Sequence, residues 1–250
     1  MILGERALEE IGTGQALRAS EWIPPGARLL EIGCSSGYLT RRFLARGGEV
    51  VGCDINRTAL RQARLRLPAV PFACGEAERL PFADGSFDAI VMLEVIEHTS
   101  SDAWALSEVR RVLRAGGVLI LSTPHRGLFA WLDPHNLRKG LEKRFPRACA
   151  FAARRVRFES GQFTANLDYH RHYRLEEIAR LLGPDFVLRR VHHGGLLLSP
   201  LAAAAISLVG RLCGETRALR ALLRILNWDF HVPFGTLSYN LMLLAEKRAR

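Results

Sequence analysis

Apolar runs of strand length recur along the first half of the chain, and each is followed by a segment with helical spacing. The strand candidates are residues 28–33, 49–54, 70–75, 87–93 and 116–123. The turn residues Asp84-Gly85-Ser86 precede the fourth run, Pro124 ends the fifth, and Ser101 is in place to cap the helix between them. A regular alternation of strand and helix predicts a parallel sheet covered by helices.

The pattern changes after Pro124, where the chain loses its clean periodicity and becomes rich in basic residues. A helix and a strand return further on, followed by an apolar stretch and a last buried strand. We therefore predict one α/β domain with a Rossmann-like, doubly wound, mostly parallel seven-stranded sheet and helical insertions after strands 5 and 6. In chain order the predicted segments are an N-terminal helix (1–26), the core (27–124), a basic lid-like insertion (125–173), a helix and strand (174–193), an apolar and amphipathic helical insertion (194–235) and a final strand (236–250).

The composition of the 250-residue chain is that of a globular protein, with 48% apolar and 24% charged residues. Its formal net charge of +10 favours anionic partners, which include nucleic acid, an anionic membrane surface and acidic substrates. The five cysteines show neither metal-ligand spacing nor a disulfide framework, so we expect reduced thiols, no metal site and a cytoplasmic location. Charged residues such as Glu5 and Arg6 stand where a signal peptide is apolar.

A glycine-rich turn lies directly between the first predicted strand and the helix that follows it. It runs Glu31-Ile32-Gly33-Cys34-Ser35-Ser36-Gly37, and glycines at such a turn let the backbone approach a ligand closely. Asp54 ends the second strand, 21 residues after Gly33. A carboxylate at that point can accept hydrogen bonds from both hydroxyls of a ribose. The turn and the aspartate together predict a site for a nucleotide-like cofactor.

A nicotinamide dinucleotide is the first alternative for this site. Its GxGxxG fingerprint requires glycine at 33, 35 and 38, whereas Ser35 and the bulky Tyr38 occupy the second and third positions. The dinucleotide interpretation is therefore disfavoured. Two plainer alternatives stay open, because Gly33 and Gly37 also suit an ordinary strand–helix turn, and Asp54 also suits the N-cap of the following helix.

Over residues 27 to 125 the chain resembles the class I S-adenosylmethionine-dependent methyltransferases, of the type 11 group. Their first motif runs acidic-x-Gly-x-Gly-x-Gly; Glu31, Gly33 and Gly37 match it, and Ser35 replaces the middle glycine. Matches to the later motifs of the family follow in the same order. They are Asp54 at the end of the second strand, residues 74–82 for the Gly-Asp-Ala-x-x-Leu-Pro-Phe segment, residues 87–98 for the fourth-strand motif and residues 113–117 for the Leu-x-Pro-Gly-Gly turn.

The resemblance implies that S-adenosylmethionine is the cofactor and that the chain is an enzyme. Asp54 is then expected to hold the ribose, Ile55 to pack on the adenine, and Glu31 to fix the turn. Ser35 departs from the family pattern, and because its Cβ restricts φ we expect the pocket to be modestly reshaped there. The complete set of expected cofactor contacts is Glu31, Gly33, Ser35, Gly37, Asp54, Ile55, Glu76, Ala77 and Glu94.

Methyl transfer to oxygen often needs a base that takes the proton of the acceptor, and histidine is the natural base near neutral pH. His98 and His125 follow the fourth and fifth strands, at the edge where open α/β sheets bind ligands. His98 is the first candidate base and His125 the second, with His172 and its neighbour His170 as further candidates. Structural histidines are common, so all four can also be noncatalytic.

The second half of the chain gives indications about the molecule that accepts the methyl group. Residues 122–135 and 169–182 loosely resemble the O-methyltransferases of quinone biosynthesis, which implies a small, hydrophobic or polyprenyl-like acceptor. Residues 138–158 interleave basic side chains with phenylalanines, and residues 215–228 predict a basic amphipathic helix. Both segments suit an anionic membrane surface, and both equally suit a solvated basic face. Residues 195–210 are apolar but too short for the ~20 residues that span a bilayer.

Two other functions stay open. A nucleic-acid methyltransferase would explain the charge, but the Asn/Asp-Pro-Pro-Tyr/Phe signature of base-amine methylation is absent after the fourth strand, where Glu94-Val95-Ile96-Glu97 stands. A protein that binds the cofactor without turnover would explain Ser35 and the lack of an obvious base.

Overall fold

The computed structural model describes residues 13–46, 48–145, 170–195, 221, 224 and 228–249. In chain order the helices are α1 (Thr13–Trp22), α2 (Thr40–Leu44), α3 (Arg57–Arg66), α4 (Asp102–Val112), α5 (Pro134–Arg144) and α6 (Leu175–Leu182). The strands are β1 (Leu29–Ile32), β2 (Val50–Asp54), β3 (Phe72–Cys74), β4 (Phe87–Leu93), β5 (Leu113–Pro124), β6 (Phe186–Gly194) and β7 (Asn240–Lys247).

The described strands form one seven-stranded sheet in the order β3-β2-β1-β4-β5-β7-β6. Strands β1 to β5 pair in parallel, whereas β7 runs antiparallel to both of its neighbours, β5 and β6. The predicted α/β, doubly wound and mostly parallel sheet is confirmed. The antiparallel pairing is confined to one end of the sheet, where β7 lies between β5 and β6.

Strand β5 begins at Leu113, earlier than the predicted 116, because Leu113 already pairs with Phe87. The register then shifts, so that Ala89 pairs with Val118, and Gly116 within the extra residues has φ +73°. The glycines that were predicted as a turn therefore form an irregularity inside the strand, since glycine adopts positive φ without steric cost.

Apolar residues cover both faces of the sheet, which is why its central strands read as continuous hydrophobic runs. On one face Leu30 and Ile90 pack with Leu106 of α4 and Ile178 of α6. On the other face Leu29, Val91 and Ile120 pack with Ala16 and Ala19 of α1 and with Phe43 of α2. Neighbouring residues of one strand thus enter different cores, as the two-residue period of a strand requires.

The strand order reverses between β1 and β4, so the loops after β1 and β4 diverge at the same edge of the sheet. In open α/β sheets ligands bind in the crevice beyond the carboxyl ends of the strands at such a point. The glycine-rich turn, Asp54 and the residues after β4 and β5 all lie at this edge.

Parts of the second-half predictions fall outside the described residues. They are the basic segment beyond residue 145, residues 196–210 of the apolar segment and most of the amphipathic segment 215–228. Ala221 and Arg224 are helical and exposed. Across the described ranges, no helix combines the length and the apolar character needed to cross a membrane.

Candidate active site

The turn after β1 holds three residues in the left-handed region at alternate positions. Gly33 has φ +79°, Ser35 has φ +48° and Gly37 has φ +78°. A Cβ on Gly33 would lie 2.4 Å from Cγ2 of Val95, so only glycine fits there without displacement of the turn after β4. Ser35 keeps the backbone conformation that a glycine would adopt, at a cost of about 1 kcal/mol for a residue with a Cβ. The expected reshaping by serine is thus limited to its side chain.

Asp54 joins the end of β2 to this turn. Its Oδ2 accepts a hydrogen bond from the backbone N–H of Ser35 at 2.7 Å, and its Oδ1 accepts one from the N–H of Asn56 at 2.7 Å. The carboxylate is half-buried and each oxygen keeps lone-pair capacity, so it can also accept from two ribose hydroxyls.

The alternative role of Asp54 as the helix N-cap is wrong. Asn56 caps α3, because its Oδ1 accepts from the N–H groups of Thr58 and Ala59 at 3.0 and 3.1 Å. The dihedral angles of Asn56 are extended, as at a helix start. Asp54 lies two residues before the cap and orients it through the N–H of Asn56.

Glu31 lies beneath the turn and is only 4% exposed. Its Oε2 accepts from the hydroxyl of Thr40 at 2.5 Å, which ties β1 to the first turn of α2. Burial raises the pKa of Glu31 to about 7, and the nearby charge of Asp54 acts in the same direction. These contacts fit the expected role of fixing the turn.

The expected adenine end of the site is open. Ile55 follows Asp54 with 45% of its surface exposed, which is a large apolar surface for a residue beside a polar turn. Glu76 is exposed, and Ala77 is partly buried against the core. An exposed isoleucine next to a half-buried carboxylate suits a ligand with one flat apolar face and a polyhydroxylated ring.

Glu94 lies at the end of β4 with φ +52°. Its Oε1 accepts from the hydroxyl of Ser122 at 2.7 Å and from Nε2 of Gln15, on α1, at 3.0 Å. Burial raises the pKa of its carboxyl group. Glu94 thus links β4, β5 and α1, while the next residue, Val95, adjoins Gly33 of the cofactor turn. Its expected contact with the cofactor stays a prediction.

A second cluster of polar residues lies beside the ends of β4 and β5, around the buried carboxylate of Asp133. The hydroxyl of Tyr239 donates to Oδ2 of Asp133 at 2.8 Å. Nδ1 of His170 and Nε2 of His172 each lie 3.4 Å from the same oxygen. Burial alone raises the pKa of Asp133, but the histidine contacts and the N–H of Asn136 bring it well below its usual range. We call Asp133, His170, His172 and Tyr239 the Asp133 cluster.

The two histidines of the Asp133 cluster are positioned by the residues that alternate with them. Arg171 donates to the backbone carbonyl of Ile96 at 3.1 Å and pairs with Asp102, while the hydroxyl of Tyr173 donates to Oδ2 of Asp102 at 3.0 Å. Residues 171 and 173 therefore anchor the segment to the loop after β4. In an extended segment the side chains of 170 and 172 point the other way, toward Asp133.

His98 meets this cluster from the loop after β4. Its ring contacts the ring of His170 edge-on, with centroids 4.6 Å apart, and its Nε2 lies 3.9 Å from Oε1 of Glu97. Glu97 is buried and accepts from the hydroxyl of Thr123 at 3.2 Å. Burial, reinforced by the charge of Glu94, raises the pKa of Glu97 well above its ordinary value.

The structure separates the predicted histidines. His98 and His172 join the Asp133 cluster with His170, whereas the buried His125 has its Nδ1 2.9 Å from the backbone carbonyl of Ser238 and its ring against that of His193. A hydrogen bond from Nδ1 to a carbonyl fixes the ring tautomer and leaves Nε2 as the basic nitrogen, but His125 is only 4% exposed and lies outside the Asp133 cluster.

Sequence reasoning missed Asp133, Glu97 and Tyr239. Asp133 carried a detectable signal, because an aspartate before proline is a typical helix start, and its Oδ1 does accept from the N–H of Asn136 at 2.9 Å at the start of α5. Nothing local marks its contact with Tyr239, which is distant in the chain. Among the described residues, no group of three or more acidic, histidine or cysteine side chains is arranged to hold a metal ion.

The comparisons with known proteins agree with this geometry. Residues 30–121 match the model of a methyltransferase domain family. A probable S-adenosylmethionine-dependent methyltransferase of Mycolicibacterium smegmatis is 38% identical over 42% of this chain and 41% of its own length. A demethylmenaquinone methyltransferase of Beutenbergia cavernae is 38% identical over 40% of this chain and 43% of its own, and a malonyl-[acyl-carrier protein] O-methyltransferase of Erwinia pyrifoliae is 36% identical over 50% and 44%. The chain thus spans less than half the length of these relatives.

Among solved structures, the MccD protein superposes with a TM-score of 0.60 over 94% of this chain and 96% of its own, at 16% identity. That similarity shows a shared fold. The motifs of residues 30–121, the left-handed turn and the carboxylate of Asp54 all match one family. Residues 30–121 are therefore similar to the methyltransferase domain of S-adenosylmethionine-dependent enzymes, and this similarity supports S-adenosylmethionine as the cofactor.

Proposed function

We propose that this chain is an S-adenosylmethionine-dependent methyltransferase that methylates an oxygen of a small or lipid-like acceptor, quinol-like or polyprenyl-like in character. The observation that carries the proposal is the contact between the two halves of the candidate site. Gly33 of the cofactor turn lies against Val95, and the next residues, 96–98, lead to His98 and the Asp133 cluster. Cofactor turn and candidate bases therefore share one edge of the sheet.

The cofactor half is proposed to work by binding and orientation. Asp54 accepts from the ribose hydroxyls while it keeps the N–H of Ser35 in place, and Ile55 packs on the adenine. When bound, S-adenosylmethionine supplies an electrophilic methyl group on a sulfonium. The protein has to hold the acceptor oxygen in line with that methyl group, and correct positioning is itself a large part of the rate gain.

The acceptor half is proposed to remove a proton. His98 is the first candidate for the base, because it lies between Glu97 and His170 at the end of β4. A carboxylate beside a histidine stabilises the imidazolium that forms when the ring accepts a proton. Asp133 has this relation to His170 and His172, so we place these two as orienting partners or relay groups for the proton.

A groove of about 440 Å³ adjoins the Asp133 cluster at His172. His172 and Tyr173 line the groove together with Arg126, Arg171 and other charged residues. Two of the relatives described above are named for their acceptors, a demethylmenaquinone and a malonyl-[acyl-carrier protein], and these names support an oxygen or quinone-type acceptor for this chain as well. We propose a cytoplasmic location, peripheral on the inner face of the membrane, which the net charge of +10 supports.

Calorimetry with S-adenosylmethionine tests the cofactor half. We expect binding by the wild type, a loss of roughly tenfold or more in affinity for Asp54→Ala, and no change for the control Glu21→Ala, an exposed carboxylate on α1. Absence of binding at submillimolar cofactor would contradict the proposal.

Transfer of a labelled methyl group tests the acceptor half, with quinol, fatty-acid, glycan and nucleic-acid acceptors in parallel. Labelling of a quinol or lipid, lost in His98→Ala while cofactor binding persists, is the expected result. Labelling of nucleic acid alone would show that nucleic acid is the acceptor and would contradict a small or lipid-like one. Cofactor binding without labelling of any acceptor would favour a noncatalytic protein.

A further inference from the structure

Helix α5 and the turn before it expose several large apolar side chains. Leu137, Leu141 and Phe145 recur every four residues and are all exposed, and a helix brings such positions to one face. Leu128 and Trp131 precede the helix and are exposed as well, Trp131 by 66%. We call these five residues the α5 strip. Scattered exposed leucines are ordinary on a protein surface, but a stripe at helical spacing that includes a tryptophan indicates an interaction surface.

Basic side chains flank the α5 strip. Lys143 and Arg144 are exposed on the same helix, Lys139 is partly exposed, and Arg126 is exposed just before Leu128. The guanidinium of Arg144 lies 5.8 Å from the centroid of the Phe145 ring. An apolar stripe with tryptophan and phenylalanine beside lysine and arginine is the pattern of helices that lie in the headgroup region of anionic membranes.

We infer that the α5 strip docks on the surface of an anionic lipid bilayer, with α5 lying in the plane of the interface. Its 11 residues extend about 16 Å at 1.5 Å per residue, too short to cross a bilayer but sufficient to lie on one. Each basic residue near an anionic surface adds to the attraction, and the net charge of +10 acts in the same direction.

The position of α5 connects this surface to the candidate active site. Asp133 begins the helix, since its backbone carbonyl accepts from the N–H of Leu137 at 2.8 Å and its Oδ1 accepts from that of Asn136. The other carboxylate oxygen of Asp133 contacts Tyr239 and the two histidines. A docked α5 therefore places the acceptor end of the site directly at the lipid surface. This last step rests on the proposed function. It describes how the active site would reach an acceptor that lies in the membrane.

Vesicle flotation with the full chain tests the inference, with vesicles of phosphatidylcholine alone or mixed with phosphatidylglycerol. We expect flotation with the anionic vesicles, weakened at high salt because exposed charges are screened. Trp131→Ser should lower vesicle affinity roughly tenfold, and Leu141→Ser with Phe145→Ser should lower it further. Trp104→Ser is the matched control, because Trp104 is 68% exposed on α4, away from the strip, and should float like the wild type.

Recovery of the wild type in the soluble fraction with anionic vesicles would overturn the inference, and so would equal losses in Trp131→Ser and Trp104→Ser. Self-association of the wild type that Trp131→Ser abolishes, without flotation, would assign the strip to a second copy instead. Calorimetry with S-adenosylmethionine on the same variants distinguishes a failure of the membrane inference from a failure of the proposed function. A variant that no longer floats but still binds the cofactor has lost only the contact of the α5 strip with the membrane.

Discussion

The carboxylate of Asp54 accepts a hydrogen bond from the backbone N–H of Ser35 at 2.7 Å, so the end of β2 holds the left-handed turn after β1 in place. One side chain thereby serves two purposes, since the oxygens that would bind a ribose also fix the backbone that approaches the cofactor. The serine in place of a family glycine is accommodated by this bond, which restrains a residue that would otherwise leave φ +48°.

Asp54→Asn should affect binding and stability together. An asparagine has one acceptor oxygen in place of two, so one of the N–H groups of Ser35 and Asn56 loses its partner, at about 1–3 kcal/mol. We expect affinity for S-adenosylmethionine to fall at least roughly tenfold. Asn56→Ala is the control: it removes the cap of α3 and costs about 1 kcal/mol of unfolding free energy, while affinity stays within roughly twofold. Equal loss of affinity in both variants would contradict a ribose role for Asp54.

Gly33→Ala should destabilise the fold and open the cofactor turn. The added Cβ would meet Cγ2 of Val95 at 2.4 Å at a residue with φ +79°, so backbone strain and a clash act together, at about 2–4 kcal/mol. Gly116→Ala has a similar φ of +73° with no atom within 4 Å and should show the strain alone, about 1 kcal/mol. Denaturant unfolding measures both. Rescue of Gly33→Ala by Val95→Ala would identify the clash, and equal losses at the two glycines would refute it.

Glu31 should make stability fall as pH rises. Burial raises its pKa from 4.5 to about 7, so between these values the folded state holds a proton that the unfolded state has lost. The contribution of Glu31 to stability is thus present below pH 4.5 and is lost as pH rises through about 7. Glu31→Gln keeps an acceptor for Thr40 and removes the titration.

The measurement for Glu31 is the unfolding free energy of the variant minus that of the wild type, followed across this pH range. The difference cancels the contributions of Glu94 and Glu97, whose pKa values are raised in the same direction. We expect Glu31→Gln to gain stability relative to the wild type as pH increases. A difference that does not change with pH would show that Glu31 is not titrating there.

Asp133→Asn should change the pH profile of methyl transfer. Asparagine is also a good N-cap, so α5 should persist, but the negative charge beside the two histidines is lost. The cluster then holds a positive charge less favourably, so we expect the acid limb of the kcat profile to move to lower pH. We expect kcat to drop by roughly 10- to 100-fold.

Tyr239→Phe is the matched control for Asp133, because it removes the hydrogen bond at 2.8 Å and keeps the carboxylate. It should leave the acid limb close to its wild-type position. An unmoved limb in Asp133→Asn would mean that this cluster supports the fold and takes no part in proton transfer.

The sequence predicted the sheet well because its signal is local. Each parallel strand is a short buried run between turn residues, and β4 was located at its observed residues, 87–93. The cofactor turn was found for the same reason, since its glycines and Asp54 lie within one βαβ unit. The cap of α3 was assigned to the wrong residue as an alternative, because Asp54 and Asn56 both suit an N-cap and only the backbone angles distinguish them.

The acceptor half could not be predicted in the same way, because it is assembled from distant segments. Asp133, His170 and Tyr239 meet only after β5, α6 and β7 have packed together, and no spacing rule relates residues so far apart. His125 was the second candidate because it follows a strand directly, yet its ring bonds to the backbone of residue 238 and lies outside the Asp133 cluster. That a residue follows a strand predicts the edge of the sheet at which it lies. The direction of its side chain depends on tertiary packing, which the sequence pattern does not show.

The placement of β7 between β5 and β6 has a consequence for biosynthesis. Strands β1 to β5 can pair in the order in which a ribosome releases them, but among the described strands β6 pairs with β7 alone, which is translated later. Synthesis therefore passes through a stage in which β6 exposes unpaired backbone groups, and such edges recruit other chains. Tyr239 adjoins β7, so the Asp133 cluster is also completed last, and a nascent chain stalled before residue 239 would have the cofactor turn without the acceptor site.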